Sequence, residues 1–299
     1  MMAKQDVLVV GENGQLATAL KQKETIAGHR IISLGRPAMD LAHAETIEQA
    51  IGEHNPALVI NAAAYTAVDK AESEADMAKA VNADGVGRLG QICARHDIPV
   101  IHISTDYVFD GKAKKPYAPG DKTAPQGVYG RSKEQGETEL RAANEQHLIF
   151  RTAWVFGEHG NNFLKTMLRL GRTNNQIRVV DDQFGTPTYT GDLATGLSKI
   201  AAQVLSRPND ISWGTYHLTN SGETTWCGFA REIFECSATE NTPSPQIIGI
   251  PTEEYPTPAA RPAYSILDCT KTKKEFGVDL PDWKDATMRC IKNIEGTAS

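Results

Sequence analysis

Along the first half of the chain, short unbroken apolar runs alternate with longer stretches whose apolar residues recur every three or four positions. Runs such as "VLVV" at 7–10 lack the in–out alternation of a half-exposed sheet. Continuous apolar runs separated by amphipathic segments indicate parallel strands buried on both faces. The pattern predicts strands over 7–10, 30–34, 58–61, 100–104 and 148–151, with helices over 15–23, 44–53, 77–95 and 129–144. Crossovers between parallel strands are right-handed, so the fold class is α/β, with a Rossmann-type doubly wound parallel sheet.

Beyond residue 152 the rhythm changes. A helix is predicted over 162–170, a strand over 177–180, a helix over 192–205, a strand over 216–218 and a last helix over 283–294. Between them stand Pro243, Pro245, Pro251, Pro256, Pro258 and Pro262. That density rules out a helix interior or a central strand and marks a loop-rich lid or substrate-side region. The expected organisation is a dinucleotide-binding domain at 1–152. A smaller, mainly substrate-binding α/β domain at 153–299 returns segments to the first sheet.

The 299 residues, 40% hydrophobic and 23% charged, are those of an ordinary soluble globular protein. Lys and Arg number 31 against 37 Asp and Glu, and the net charge of −6 is spread without long runs. Neither a nucleic-acid surface nor an anionic-membrane surface is expected. The first apolar run is too short for a signal sequence or a membrane span, so the expected location is the cytoplasm. Cys93, Cys227, Cys236, Cys269 and Cys290 are scattered, without a C-x-x-C pair. No disulfide framework or zinc site is expected.

Several segments carry candidate chemistry at strand ends. Gly11 and Gly14 follow the first strand and open a helix, where a pyrophosphate can approach the backbone at the helix N-terminus. After the second strand, Gly35-Arg36 stands where an acidic ribose ligand would favour NAD. Gly35 is expected to leave space there, and the Arg36 fork suits a 2′-phosphate. Asp40 and Leu41 are candidates for the adenine pocket. "NAAAYT" ends the third strand with small side chains that let a cofactor lie close to the backbone. Ser104, Thr105 and Asp106 end the fourth, where a hydroxyl can hold a substrate carbonyl. In "VYGRSKEQGE", Tyr129 and Lys133 are four residues apart and share a helix face, with Glu134 and Glu137 expected to turn elsewhere. An ammonium beside a phenol lowers its pKa, fitting Tyr129 for proton transfer near neutral pH.

Gly-x-x-Gly, Asn-Ala-Ala, Ser-Thr-Asp and Tyr-x-x-x-Lys together resemble the extended short-chain dehydrogenases/reductases. Within them, "NAAAYTAVDKAE", "STDYVFDG", "VYGRSKEQGE", "RTAWVFG", "NNFLKTMLRL", "DDQFGTPT" and "YPTPAARP" resemble the dTDP-4-dehydrorhamnose reductase family over almost the whole chain. The resemblance implies hydride transfer from NADPH or NADH to the 4-keto group of a dTDP-6-deoxy-hexulose, giving a dTDP-sugar for cell-surface polysaccharide. It implies Tyr129 as proton donor, Lys133 on the nicotinamide ribose, and Thr105 with Asp106 at the keto oxygen. Gly11, Gly14, Gln15 and Leu16 would hold the pyrophosphate, and Arg36, Asp40 and Leu41 the adenosine end. Ala63, Ala64, Tyr65, Thr66 and Ile103 would line the cofactor trough, and Trp154 would touch the sugar nucleotide. A homodimer is implied as a possible partner state. Some members bind magnesium through glutamates at a dimer contact; Ala19 stands where one of those ligands aligns, a departure from that pattern.

Two other functions share this fold: a sugar-nucleotide 4,6-dehydratase or epimerase, and a non-enzymatic regulatory subunit. A 4,6-dehydratase would need a second carboxylate after Asp106, where Tyr107 stands. A regulatory subunit would not need the intact set of Thr105, Tyr129 and Lys133.

Overall fold

The structure, a computed structural model, describes residues 6–238 and 244–296. Among these residues the main sheet contains β1 (Val7–Val10), β2 (Thr25–Ile26), β3 (His29–Leu34), β4 (Leu58–Asn61), β5 (Val100–Thr105), β6 (His147–Thr152) and the strand Gly214–His217. Their order across the sheet is Gly214–His217, β6, β5, β4, β1, β3, β2. Every neighbouring pair is parallel except β2 and β3, a short hairpin the apolar pattern did not announce.

The helices of the first half are α1 (Gln15–Lys21), α2 (Ala44–His54), α3 (Val68–Ala71), α4 (Ala75–Lys79), α5 (Gly85–Arg95) and α6 (Val128–Ala143). Unbroken apolar strands have the expected cause: both faces of the sheet are covered. Val7 and Val9 pack with Leu20 of α1 and with Leu193, Leu197 and Ile200 of the helix Thr190–Ser206. Leu8 and Val10 pack on the opposite face with Ile47, Ile51, Leu89, Ile92 and Leu140 of α2, α5 and α6. Burial of each such side chain contributes roughly 1.5–3 kcal/mol.

The helix expected over 77–95 is formed as one helical run with a widened, π-helical middle. A wide turn, Ala80–Asp84, separates α4 from α5 and turns the buried Asn82 toward α6. At Gly136 of α6 a Cβ would lie 1.9 Å from the Asn82 carbonyl oxygen, so only glycine permits this approach.

In the second half, Phe163–Gly171, Trp226–Ser237 and Trp283–Gly296 enclose a core around Phe156, Phe229, Ile233 and Trp283. The proline-dense stretch is not all loop. Gln246–Ile250 is a strand paired in parallel with Gln176–Val180, in the proline-free run between Pro245 and Pro251. It avoids the prolines' missing donors, and as one of only two strands in its sheet it is not a central strand; what the pattern missed is that the stretch is not loop throughout. Residues 255–262 are irregular, and Pro243 lies outside the described residues.

Candidate active site

The carboxyl ends of β1, β4, β5 and β6 meet at one edge of the sheet, where ligands bind in open α/β folds. Gly11 has φ +108°, a conformation that favours glycine, and its N–H donates to the Leu34 carbonyl at 2.7 Å. A Cβ there would meet the Ala63 backbone nitrogen at 3.3 Å, so the first turn lies tight against the β4 end. Gly14 caps α1 in open space. Gln15 accepts a hydrogen bond from Asn162 Nδ2 at 2.9 Å, tying the glycine turn to the second half. The Leu16 side chain is buried in the core.

At the adenosine end Arg36 is exposed. The space expected beside Gly35 is not free. A Cβ at Gly35 would lie 2.8 Å from Glu12 Cβ and 3.5 Å from Glu12 Oε2. The glycine turn itself therefore brings a carboxylate to the place where none was read. Asp40 accepts from the Ala42 N–H at 3.0 Å, and the Leu41 side chain is buried beneath it.

Ala63 and Ala64 continue from β4, half-buried, and Thr66 is exposed. Asn82 clamps Tyr65 on both sides, accepting from its N–H at 2.8 Å and donating to its carbonyl at 3.0 Å. Asn82 also donates to Ser132 Oγ of α6 at 3.0 Å. The Tyr65 phenol donates to Glu74 at 2.6 Å, and that bond pushes its pKa up to about 12.

β5 and α6 bring the candidate catalytic groups together. Thr105 Oγ1 donates to Asp106 Oδ1 at 2.9 Å and accepts from the Tyr107 N–H at 3.2 Å. Crowding around the Tyr129 hydroxyl pushes its pKa up to about 12; the Thr105 hydroxyl works against this and Asp106 adds to it. Asp106 is buried with Oδ2 unpaired, and burial draws its pKa up to about 6 against hydrogen bonds from Ser265 and Thr105. Tyr107 meets Tyr129 edge-on, with ring centroids 5.6 Å apart.

Lys133 is fully buried, and its Nζ donates to the Ile103 carbonyl at 2.7 Å. Burial draws its pKa down to about 8, opposed by Glu137. The expected lowering of the Tyr129 pKa by this side chain is not what the ligand-free site shows. The phenol is raised, because Lys133 is engaged by β5 and burial dominates.

Glu137 does not turn to solvent either. It is wholly buried and accepts from Arg151 at 2.9 and 2.7 Å and from Ser104 at 2.6 Å. One turn past Lys133, it shares the inward face that the i, i+4 spacing defines.

Trp154, two residues past β6, has φ +47° and stacks on Trp226 at 3.6 Å between centroids. Gly185 makes room for its ring, since a Cβ there would lie 2.4 Å from it. Arg261, from the irregular segment, donates to Asp69 at 2.8 Å and lies 5.9 Å over the Tyr107 ring. Sequence reasoning missed Glu12, Asn82, His102 and Arg261. The polar His102 inside the apolar run "VIHIST" was the clearest available signal.

With that geometry in view, the family described as RmlD substrate binding domain matches residues 5–295. A dTDP-4-dehydrorhamnose reductase of Sinorhizobium fredii is 45% identical over 283 residues, 95% of each chain. This chain belongs to the dTDP-4-dehydrorhamnose reductase family. Two solved members of the family share the fold closely. That of Clostridium acetobutylicum has TM-score 0.89 at 36% identity, and that of Bacillus anthracis, in complex with NADP, has TM-score 0.89 at 33% identity. Each alignment covers 97% of this chain and 100% of the other. The family's magnesium-ligand position does not fit here: Ala19 is apolar and 6% exposed, packed in the core on the inner face of α1. No helix among the described residues is long and apolar enough to cross a membrane.

Proposed function

We propose that this chain reduces the 4-keto group of dTDP-4-dehydro-β-L-rhamnose (dTDP-6-deoxy-L-lyxo-4-hexulose) with NADPH or NADH, giving dTDP-L-rhamnose. The observation that carries it is the convergence of Thr105, Tyr129 and Lys133 at the carboxyl edge, between the Gly11–Gly14 turn and Trp154. The glycine turn fits a dinucleotide: Gly11 brings the backbone against β4, and Gly14 leaves the α1 N-terminus open.

A bound reduced nicotinamide supplies the hydride to the carbonyl carbon. Thr105 turns its one hydroxyl proton from Asp106 to the keto oxygen, and Tyr129 Oη gives that oxygen its proton. A phenol with a raised pKa is protonated at neutral pH, as a donor must be. The phenolate left behind is stabilised by a charged Lys133 and regains its proton from solvent. Gly11, Gly14, Gln15 and Leu16 hold the pyrophosphate, with Arg36, Asp40 and Leu41 at the adenosine end. Ala63, Ala64, Tyr65, Thr66 and Ile103 line the trough, while Asp106 and Trp154 contact the sugar nucleotide. Residues 1–152 are in this reading the dinucleotide-binding part. Residues 153–299 are mainly the substrate-binding part, with the strand Gly214–His217 and the helix Thr190–Ser206 serving the first sheet. The working form is a cytoplasmic enzyme that can assemble as a homodimer.

The test is NADPH absorbance with and without the keto-sugar nucleotide, with the product identified by mass. Equimolar oxidation and a product heavier by two hydrogens support the reading. Tight cofactor binding without turnover favours a regulatory subunit and overturns it.

A further inference from the structure

Behind the catalytic face runs a polar chain sealed from water: Asn61 of β4, His102 of β5 and Lys133 of α6, none more than 1% exposed. Asn61 Nδ2 lies 3.0 Å from His102 Nδ1, and His102 Nε2 lies 3.2 Å from Lys133 Nζ. The Ala63 N–H donates to Asn61 Oδ1 at 3.1 Å. That bond fixes the amide, because reversing it would set two donors against each other at Ala63.

The protons can then be counted from one end. Asn61 Nδ2 donates, so His102 Nδ1 must accept and carries no proton. A neutral imidazole bare at Nδ1 is protonated at Nε2. His102 Nε2–H therefore faces Lys133 Nζ, which has to accept. An ammonium has no lone pair, so this arrangement accommodates only the neutral amine. The amine still has a proton for the Ile103 carbonyl at 2.7 Å. The opposite assignment, with charged Lys133 donating to a bare Nε2, puts Nδ1–H against Asn61 Nδ2–H inside the sheet. A buried donor left without an acceptor costs ~1–3 kcal/mol.

We infer that His102 is a positioning residue for the reaction: with its tautomer fixed by Asn61, it presents Nε2–H to Lys133 and so lowers that lysine's affinity for a proton in the ligand-free chain. Charging Lys133 then requires one proton from solvent and gives up the His102 contact, so the ammonium forms when Nζ turns to a bound ligand. The role in turnover rests on the reductase reading; the tautomer does not.

Other charges around the chain do not supply this effect. Glu137, on Lys133's own helix, favours the ammonium and is itself matched by Arg151 from β6 and by Arg141. From β5 the facing groups are His102 and the Ile103 carbonyl, with Thr105 and Asp106 further along toward Tyr129. Burial moves Lys133 and His102 the same way, each toward its neutral form.

The test has two readouts. In protein labelled with 15N-histidine, His102 is expected to carry its proton on Nε2 and none on Nδ1 between pH 6 and 8. A proton on Nδ1, or a charged ring, overturns the inference whether or not the chain turns over substrate. In His102→Gln the amide can offer its oxygen to Lys133. The lysine titration, followed by NMR and as the alkaline limb of kcat/KM, then rises by about one pH unit. An unmoved titration overturns the inference. If His102→Gln does not fold, Asn61→Asp replaces it: the carboxylate keeps the Ala63 bond, accepts Nδ1–H and is expected to switch the His102 tautomer. A tautomer unchanged in that variant likewise contradicts it.

Discussion

Arg151 of β6 grips Glu137 of α6 through two parallel hydrogen bonds of 2.9 and 2.7 Å, with both side chains out of water. Ser104 of β5 donates to the same carboxylate at 2.6 Å. The pair pins α6 across two strands and so fixes where Tyr129 and Lys133 stand. Removing Arg151 takes the two-bond partner from a wholly buried carboxylate and leaves it only the part-exposed Arg141 and the Ser104 hydroxyl. Arg151→Met is therefore expected to lower stability by roughly 3–5 kcal/mol, read by urea denaturation. A loss below about 1 kcal/mol, the range of exposed ion pairs, would show that water reaches the carboxylate.

Tyr129→Phe is expected to reduce single-turnover ketone reduction by ~10²–10⁴-fold, the usual loss on removing a general acid. Cofactor affinity should stay close to that of the parent chain, since only the hydroxyl is lost. A variant within a few-fold of the parent would take Tyr129 out of the mechanism.

Asp106 provides a pH test of the site. Its folded pKa is raised from 3.8 to about 6. The stabilising form is the protonated one, fully present below the unfolded pKa and lost as pH rises through 6. A shift of that size is worth about 2–3 kcal/mol. Asp106→Asn, unable to ionise, should be no more stable than the parent at pH 4 and more stable at pH 7.5. Parallel Tm curves for the two proteins across that range would refute the raised pKa.

At the proposed adenosine end, Glu12 and Arg36 are expected to act in opposite senses on a 2′-phosphate. Glu12→Gln should raise the NADPH-to-NADH ratio of kcat/KM, and Arg36→Ala should lower it. Each change is expected to approach tenfold, equivalent to about 1.4 kcal/mol. If neither substitution moves the ratio, both are surface residues without a ligand.

Trp154→Ala is expected to raise the KM for the sugar nucleotide more than that for the cofactor. An aromatic face lost from a sugar ring forfeits roughly 1–3 kcal/mol of apolar burial. The stack on Trp226 at 3.6 Å makes the comparison sharp. Loss of thermal stability with both KM values unchanged would assign the ring to packing alone.

The parallel sheet and the edge that carries the candidate site were legible because strands covered on both faces have to be apolar throughout, and because glycine turns and strand-end hydroxyls sit at fixed junctions. What escaped depended on partners distant in sequence. Trp226–Ser237 carries Trp226, Phe229, Ala230, Ile233 and Phe234 at helical spacing, yet its polar neighbours hid the stripe. Glu137 reads as a solvated charge until Arg151 is brought beneath it. Glu12 reads as a loop residue until the turn at Gly11 lays it against Gly35. The wide turn at Ala80–Asp84 lies against α6 at Gly136, a contact that no local propensity encodes.

The central claim is hydride delivery to the sugar carbonyl with a proton from Tyr129, and transfer of a label tests it most directly. NADPH carrying deuterium at the reactive C4 position is incubated with the chain and dTDP-4-dehydro-β-L-rhamnose, and the product is examined by NMR. The account predicts one deuterium at C4 of the product sugar per cofactor oxidised, and almost none on the same timescale with Tyr129→Phe. Absence of deuterium from C4 of the product with both the 4R- and the 4S-labelled cofactor, or deuterium at another sugar carbon, would contradict it.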